Sequence, residues 1–506
     1  MKGFLDYLFQ DPPISERVIP ASLHPAMRRV DIRWRISGLL LLAVTLALAL
    51  LSPRFADRIP VADRPILTAI ALMMLGGLIL LFVSELVIFA GRGKRLMLWV
   101  LGVGLAMRLL FFGSTPILEV DFHRYLWDGS VTAHGLDPYR HAPADLLERR
   151  DDPTLPPAWR DRIAEGGATA AQINHGDIRS IYPLPVQAAF AAAYRIAPWS
   201  LESWRMLLLV ADLATVVMLL VILQGLGVPP VWVVLYWWNP LVVKELFNSL
   251  HMEALLTPPL LGALWLGATR RPLGAGALLG LAASIKLWPA LLLPLLLRPW
   301  WRDWRRLVGG TIAFAAVAGV LLAPMLLAGL DARSGLTAYG TRWSLNASLF
   351  QLILWGEEAL LSLTAVHPGH AQRLARLTVA LLAGGWALWL AWRAPVGNPR
   401  ALFDRALLIT AGLFLVLPTQ FPWYALWFMP LLAVSHRRSL LILTVTLPLY
   451  YLWYHFDATG REALFHTLVP WIEFAPVWVL LWSEWRRERQ RRSWPLTPEV
   501  PLYHDR

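Results

Sequence analysis

Residues Leu96 to Tyr139 read LMLWVLGVGLAMRLLFFGSTPILEVDFHRYLWDGSVTAHGLDPY, and the change of character at Gly113 decides the class of fold. Leu96 to Phe112 is apolar almost throughout and long enough to cross a bilayer. In that medium the backbone must satisfy its own hydrogen bonds, so the stretch predicts a membrane-spanning helix. Directly beyond it stand Glu119, Asp121, His123, Asp128 and His134, with Arg124, Tyr125 and Trp127 among them. Titratable groups packed this densely at a membrane surface predict a reactive segment, and the rest of the chain reads as the scaffold that serves it.

The whole chain supports this reading. Its 506 residues are 57% hydrophobic and 16% charged, with mean hydropathy +0.52. That is too apolar for a soluble domain and predicts an all-α polytopic membrane protein of about 12 to 14 helices. Apolar runs of helix length, rather than short alternating segments, exclude an outer-membrane barrel. Without cysteine there is no disulfide, thiolate metal site or cysteine nucleophile. The net charge of +12 resides in short arginine clusters beside apolar runs, at 28–35, 92–95, 270–271, 298–306, 437–438 and 486–492. Such loops mark a cytoplasmic side and argue against nucleic acid as a partner. Tryptophans at run ends, such as Trp199, Trp300 and Trp301, fit interfacial belts.

From the charge pattern, 1–35 is expected to be a cytoplasmic segment, 36–484 the membrane domain and 485–506 a basic cytoplasmic tail. Expected spans include 39–51, 67–90, 96–112, 206–223, 231–243, 254–268, 307–327, 377–392, 406–417, 425–434, 440–454 and 468–482. The segment 273–297 is broken by Ser284-Ile285-Lys286 and Pro289 and predicts a hairpin of two short helices with Lys286 near its outer tip, a single long helix being the alternative. Residues 113–203 form a large outer loop whose apolar piece 186–196 is expected to lie on the membrane. Gly129, Gly135 and Pro138 read as turn residues.

With this topology the polar residues other than arginine anchors converge on the extracytoplasmic face. They are Glu119 to Tyr139; Lys244, Glu245, Asn248, His251 and Glu253; Lys286; Arg342, Trp343 and Asn346; Gln420, Trp423 and Tyr424. Each has a bland reading. Asp121 could cap a helix, Lys286 could snorkel to the interface, and Trp423 and Tyr424 could be belt residues. Asp121 followed by Arg124 and Asp128 at helical spacing, just outside a span, favours catalysis. A transporter or flippase is the competing class. It predicts charges at mid-membrane and pseudo-symmetric halves, and no internal repeat is evident.

The motif Asp121-Phe-His-Arg124-Tyr125-Leu-Trp127-Asp128-Gly129, followed by Gly135-Leu-Asp137-Pro138-Tyr139, resembles the first-loop motif of bacterial polyprenyl-phosphate-mannose-dependent mannosyltransferases of GT-C architecture. Supporting segments follow in the same order: Asn239-Pro240 through Lys244-Glu245, Asn248 and His251; Ala283 to Pro289; Trp343 to Asn346; and Pro418 to Tyr424. The resemblance implies a GT-C-like helix bundle with its site in extracytoplasmic loops, in the bacterial cytoplasmic membrane. It implies a polyprenyl-phosphate-sugar donor, a lipid or glycan acceptor, and inverting transfer of a hexose, mannose by this likeness. Asp121 would be the general base. Lys286, Arg124 and Arg342 would meet the leaving phosphate, with His251 donating a hydrogen bond. Glu119 and His123 would orient the acceptor, and Trp343 or Trp127 would stack on the sugar. Tyr125, Asp128, Lys244, Asn248, Glu253, Asn346, Gln420, Trp423 and Tyr424 complete the expected substrate contacts. No cofactor is implied, and side-chain cations make a metal unnecessary.

Overall fold

The computed structural model describes residues 24–88, 90, 93–364 and 367–493. The expected segment 1–35 is described only from residue 24 and the expected tail only to residue 493; the rest of both lies outside the described residues. All named elements among the described residues are helical, and a lone bridge pairs Leu345 with Thr419. The protein is an all-α polytopic membrane protein. Among the described residues seven helices are long and apolar enough to cross a membrane: Asp31–Phe55, Ile66–Val87, Leu201–Gly225, Trp304–Leu327, Ala371–Arg393, Arg438–Ala458 and Glu462–Arg487.

Other apolar runs expected to span are shorter or broken, and the cause is local. The run 231–243 divides into Pro230–Val233, Val234–Trp237 and Pro240–Val243. Pro240 has no N–H to continue the preceding helix, and the Asn239 side chain caps the next one by accepting from the N–H groups of Leu241 and Val242. The run 425–434 is likewise cut into Pro422–Trp427 and Met429–Leu432, each with proline in its first turn. These fragments are buried, and their irregular backbone is covered by protein rather than lipid.

Two contacts set the frame that carries the site. Arg108, fully buried, donates from Nε to Asp212 Oδ2 at 2.5 Å and from Nη1 to the Trp237 carbonyl at 2.7 Å. Tyr236 donates its hydroxyl to Asp212 Oδ1 at 2.5 Å. One carboxylate therefore joins the expected third span, the helix Leu201–Gly225 and the fragment Val234–Trp237. The second contact is close packing through small residues: a Cβ on Gly276 would fall 2.1 Å from the Gly310 carbonyl oxygen. Such approach is how helices adhere where lipid offers no hydrophobic drive. The segment 272–297 does reverse, since Gly310 has both Pro272 and Leu297 beside it. The helix Pro272–Ile285 ends at an extended Lys286.

The loop 113–203 folds into helices. Phe122–Ala133 carries the motif, Pro143–Glu148 and Pro157–Ala170 each start on proline, and Leu184–Ile196 packs along the motif helix. Trp127, Val131, Leu146, Leu155, Trp159 and Ile163 form a small core of their own. Gly129 is not a turn residue as its type suggested. It sits inside the motif helix, where a Cβ would lie 2.6 Å from the Phe190 carbonyl oxygen. Gly129→Val is therefore expected to force these helices apart and lower stability by about 1–3 kcal/mol. Thermal unfolding of the detergent-solubilised protein measures this, and an unshifted midpoint would mean that the two helices separate without cost.

Candidate active site

The loops at one end of the bundle enclose a cavity of about 1070 Å³. Its polar end is lined by Glu119, Asp121, Arg124, Tyr125, His251, Glu253, Lys286, Arg342, Trp343, Trp423 and Tyr424, which come from five separated segments of the chain. Strained backbone brings them in. Leu118 (φ +55°) precedes Glu119 and Leu250 (φ +69°) precedes His251; each left-handed non-glycine residue costs roughly 1 kcal/mol or more. Side chains hold both turns. Asn248 accepts from the Ile117 N–H at 2.9 Å and donates to the Thr115 carbonyl at 2.9 Å. Trp204 donates to the Leu250 carbonyl at 2.8 Å, and Arg205 joins the carbonyls of Phe247 and Ser114 at 2.8 and 2.6 Å.

Among the described residues three carboxylates line the cavity, and two of them are engaged. Glu119 Oε1 accepts the N–H groups of Val120 and Asp121 at 2.8 and 2.9 Å, while its Oε2 lies 3.1 Å from His251 Nε2. Burial raises the Glu119 carboxyl, but His251 and the Asp121 N–H outweigh it and hold the group below its ordinary value. Burial would lower the His251 ring, yet Glu119, Glu253 and Glu245 hold it above its ordinary value. The ring also stacks on Trp423, centroids 4.1 Å apart. Glu253 pairs closely with Lys286, whose ammonium lies 4.0 Å from the Tyr424 ring centre.

Asp121 is different. It occupies the N-cap position of the motif helix, but its side chain makes no cap bond, and its carboxylate meets no hydrogen-bond donor or cation partner among the described residues. Burial first, then the charges of Glu119 and Glu253, push it up to about 7 against the pull of His251 and Arg124. It is a carboxylate poised to gain or lose a proton near neutrality. Among the described residues no group of three or more His, Asp or Glu side chains is placed to hold a metal ion.

The family model for the N-terminal domain of the alpha-(1->6)-mannopyranosyltransferases matches residues 39–302, more than half of the chain. The chain belongs to that family. It is a glycosyltransferase of GT-C type that transfers mannose, and the transporter reading gives way to it. No curated relative and no solved structure matches the chain.

Several residues expected at the substrate do not reach the cavity of this mannosyltransferase. His123 turns to Asp57, 3.7 Å away. Trp127 fills the small core of the outer loop. Asp128 accepts from Ser180 at 2.5 Å and from Gln187 at 3.0 Å, tying the motif helix to its neighbour. Lys244 is buried between Glu245 and Tyr451, and Asn248 clamps the turn before Glu119. Asn346 donates to the Gln420 carbonyl and to Glu473, and Gln420 donates to the Phe414 carbonyl. All seven point away from the lining. Each is engaged by other parts of the protein away from the cavity, Trp127 by apolar packing and the others by polar partners, so composition alone could not separate it from the lining.

The mannosyltransferase also places residues at the cavity that the motifs did not single out: Tyr182, Tyr339, Arg376, Tyr450 and Tyr454. Arg376, directly before the expected span 377–392, reads in the sequence as one more flanking charge, and only the helix Ala371–Arg393 brings it to the cavity. The tyrosines carried no signal either, since Tyr450 and Tyr454 at the end of an apolar run look like any interfacial belt, and Tyr182 and Tyr339 stand in loops without a motif.

Proposed function

We propose that this mannosyltransferase moves mannose from a polyprenyl-phosphate donor to a hydroxyl of a lipid or glycan acceptor on the extracytoplasmic face of the bacterial cytoplasmic membrane. The free carboxylate of Asp121, alone among the three cavity acids in having no partner among the described residues, carries this reading. Asp121 takes the acceptor proton as that oxygen attacks the anomeric carbon, and the bond from that carbon to the lipid phosphate oxygen breaks on the opposite side. Inversion that yields an α-mannoside requires a β-linked mannosyl phosphate. Positive charge develops on the sugar and negative charge on the leaving phosphate. Arg124 and Arg342 line the same cavity to meet the latter, and His251, whose ring its carboxylates raise above its ordinary value, donates a hydrogen bond. Trp343, stacked edgewise on His175 at 4.6 Å, offers the sugar an aromatic face. Lys286 keeps Glu253 neutralised so that Asp121 is not surrounded by free negative charge.

The test supplies purified protein with radiolabelled polyprenyl-phosphate-mannose and membrane lipid extract, with GDP-mannose in parallel. Incorporation from the lipid donor alone is expected; incorporation from the nucleotide sugar alone would overturn the donor. The initial rate should fall as pH drops through about 7, because protonated Asp121 cannot accept a proton. A rate unchanged between about pH 5 and 8 would remove Asp121 from the role of base.

A further inference from the structure

We propose that Arg376 recognises the phosphate of the lipid-linked donor and that the apolar slot running from it along the helix Ala371–Arg393 takes the prenyl chain; this rests on the donor proposed above. Among the described residues five of Arg and Lys type line the cavity. Arg124 faces Asp128 at 4.0 Å, Arg179 faces Asp331 at 3.0 Å, Arg342 faces Asp177 at 3.8 Å, and Lys286 is engaged by Glu253. Arg376 meets no carboxylate among the described residues. Its Nη2 donates to the Trp343 carbonyl at 2.8 Å, and its Nε is buried without a partner. An uncompensated guanidinium within a membrane-spanning helix is costly unless an anion completes it. The planar fork of arginine suits a phosphate, which it can meet through two parallel hydrogen bonds.

Position supplies the second half of the argument. Val379, Ala380 and Ala383 follow Arg376 on the same helix and also line the cavity, so the wall turns from charged to apolar over about 10 Å of helix. Met325, Leu291 and Leu413 face this stretch from other elements. At its mouth Leu287 is 46% exposed and Ala380 is exposed, so the slot opens sideways toward the surface that lipid covers. Arg376 thus stands where a phosphate must sit if the chain attached to it extends into the bilayer while the sugar points at Asp121. Tyr339, whose hydroxyl lies 3.1 Å from Thr419 Oγ1, borders the same place.

The experiment measures binding of a long-chain polyprenyl phosphate and of the matching uncharged polyprenol to the full chain in nanodiscs, for wild type and Arg376→Gln. Wild type is expected to prefer the phosphate by about tenfold or more, and Arg376→Gln to lose most of that preference, with Arg124 and Arg342 keeping the remainder. An Arg376→Gln protein that keeps the wild-type preference overturns the role of Arg376 and leaves the donor assignment standing. Wild type without a preference overturns the donor assignment itself. Glutamine can still donate to the Trp343 carbonyl. Should Arg376→Gln nevertheless fail to elute as a single species, Ala380→Trp tests the slot. It is expected to weaken long-chain phosphate by about tenfold while sparing a ten-carbon prenyl phosphate. Long-chain binding equal to wild type overturns the slot.

Discussion

Asp121→Asn is expected to lower mannosyl transfer by about 100- to 10,000-fold, the range lost when a positioned general base is removed. Asparagine keeps the size of the side chain but cannot accept the proton of an attacking hydroxyl. Its effect on stability should be small or favourable, and the sign follows from the protonation of the group. The folded protein holds Asp121 up to about 7, above its ordinary 3.8, so the folded state binds the proton more tightly than the unfolded state. Ionising Asp121 therefore costs stability as pH rises from about 4 to about 7, and asparagine removes that cost. Initial rates from polyprenyl-phosphate-mannose and thermal midpoints, measured on the same preparations, check both halves. Equal rates for the two proteins would leave the cavity without its base; a lowered midpoint would instead mean that the carboxylate supports the fold.

Asp212→Ala is expected to be the most destabilising single change, at about 3–5 kcal/mol, because it leaves Arg108 charged and alone in the bundle. Both side chains of the pair are fully buried, and Asp212 is also the acceptor for Tyr236. Replacing Asp212 together with Arg108 by apolar residues of similar size should recover much of the loss, since the penalty belongs to the unpaired charge. Denaturant or thermal unfolding of the single and double variants separates the two cases. A double variant as unstable as the single would assign the cost to lost packing of the Arg108 guanidinium on Trp237, 3.4 Å from the ring centre.

The candidate site was legible where chemistry stood out against apolar surroundings. Glu119, Asp121, Arg124, His251, Glu253 and Lys286 were readable because charged residues outside the basic arginine clusters are scarce beside the spans of such a chain, and Lys286 also marks a true break in its helix. Direction was not readable. His123 and Trp127 share a helix with Arg124 and Tyr125, but successive residues on a helix point about 100° apart, so half the motif faces away. Asn346 and Gln420 were drawn to the list by their polarity, yet they satisfy buried backbone where the helix Leu349–Ser362 begins and the helix Pro399–Val416 ends.

Hydropathy and arginine placement along the chain were sufficient to establish a polytopic helical membrane protein with its dense acidic segment beyond the third apolar run, because burial in lipid constrains composition residue by residue. Three-dimensional packing alone decided which of the polar residues share a cavity, that Asp121 is left free while Glu119 and Glu253 are engaged, and that Arg376 joins them from an apolar helix. Those outcomes depend on contacts between residues as far apart as Ile117 and Asn248, or Arg376 and Trp343, and no local pattern records the partner that a side chain meets across the bundle.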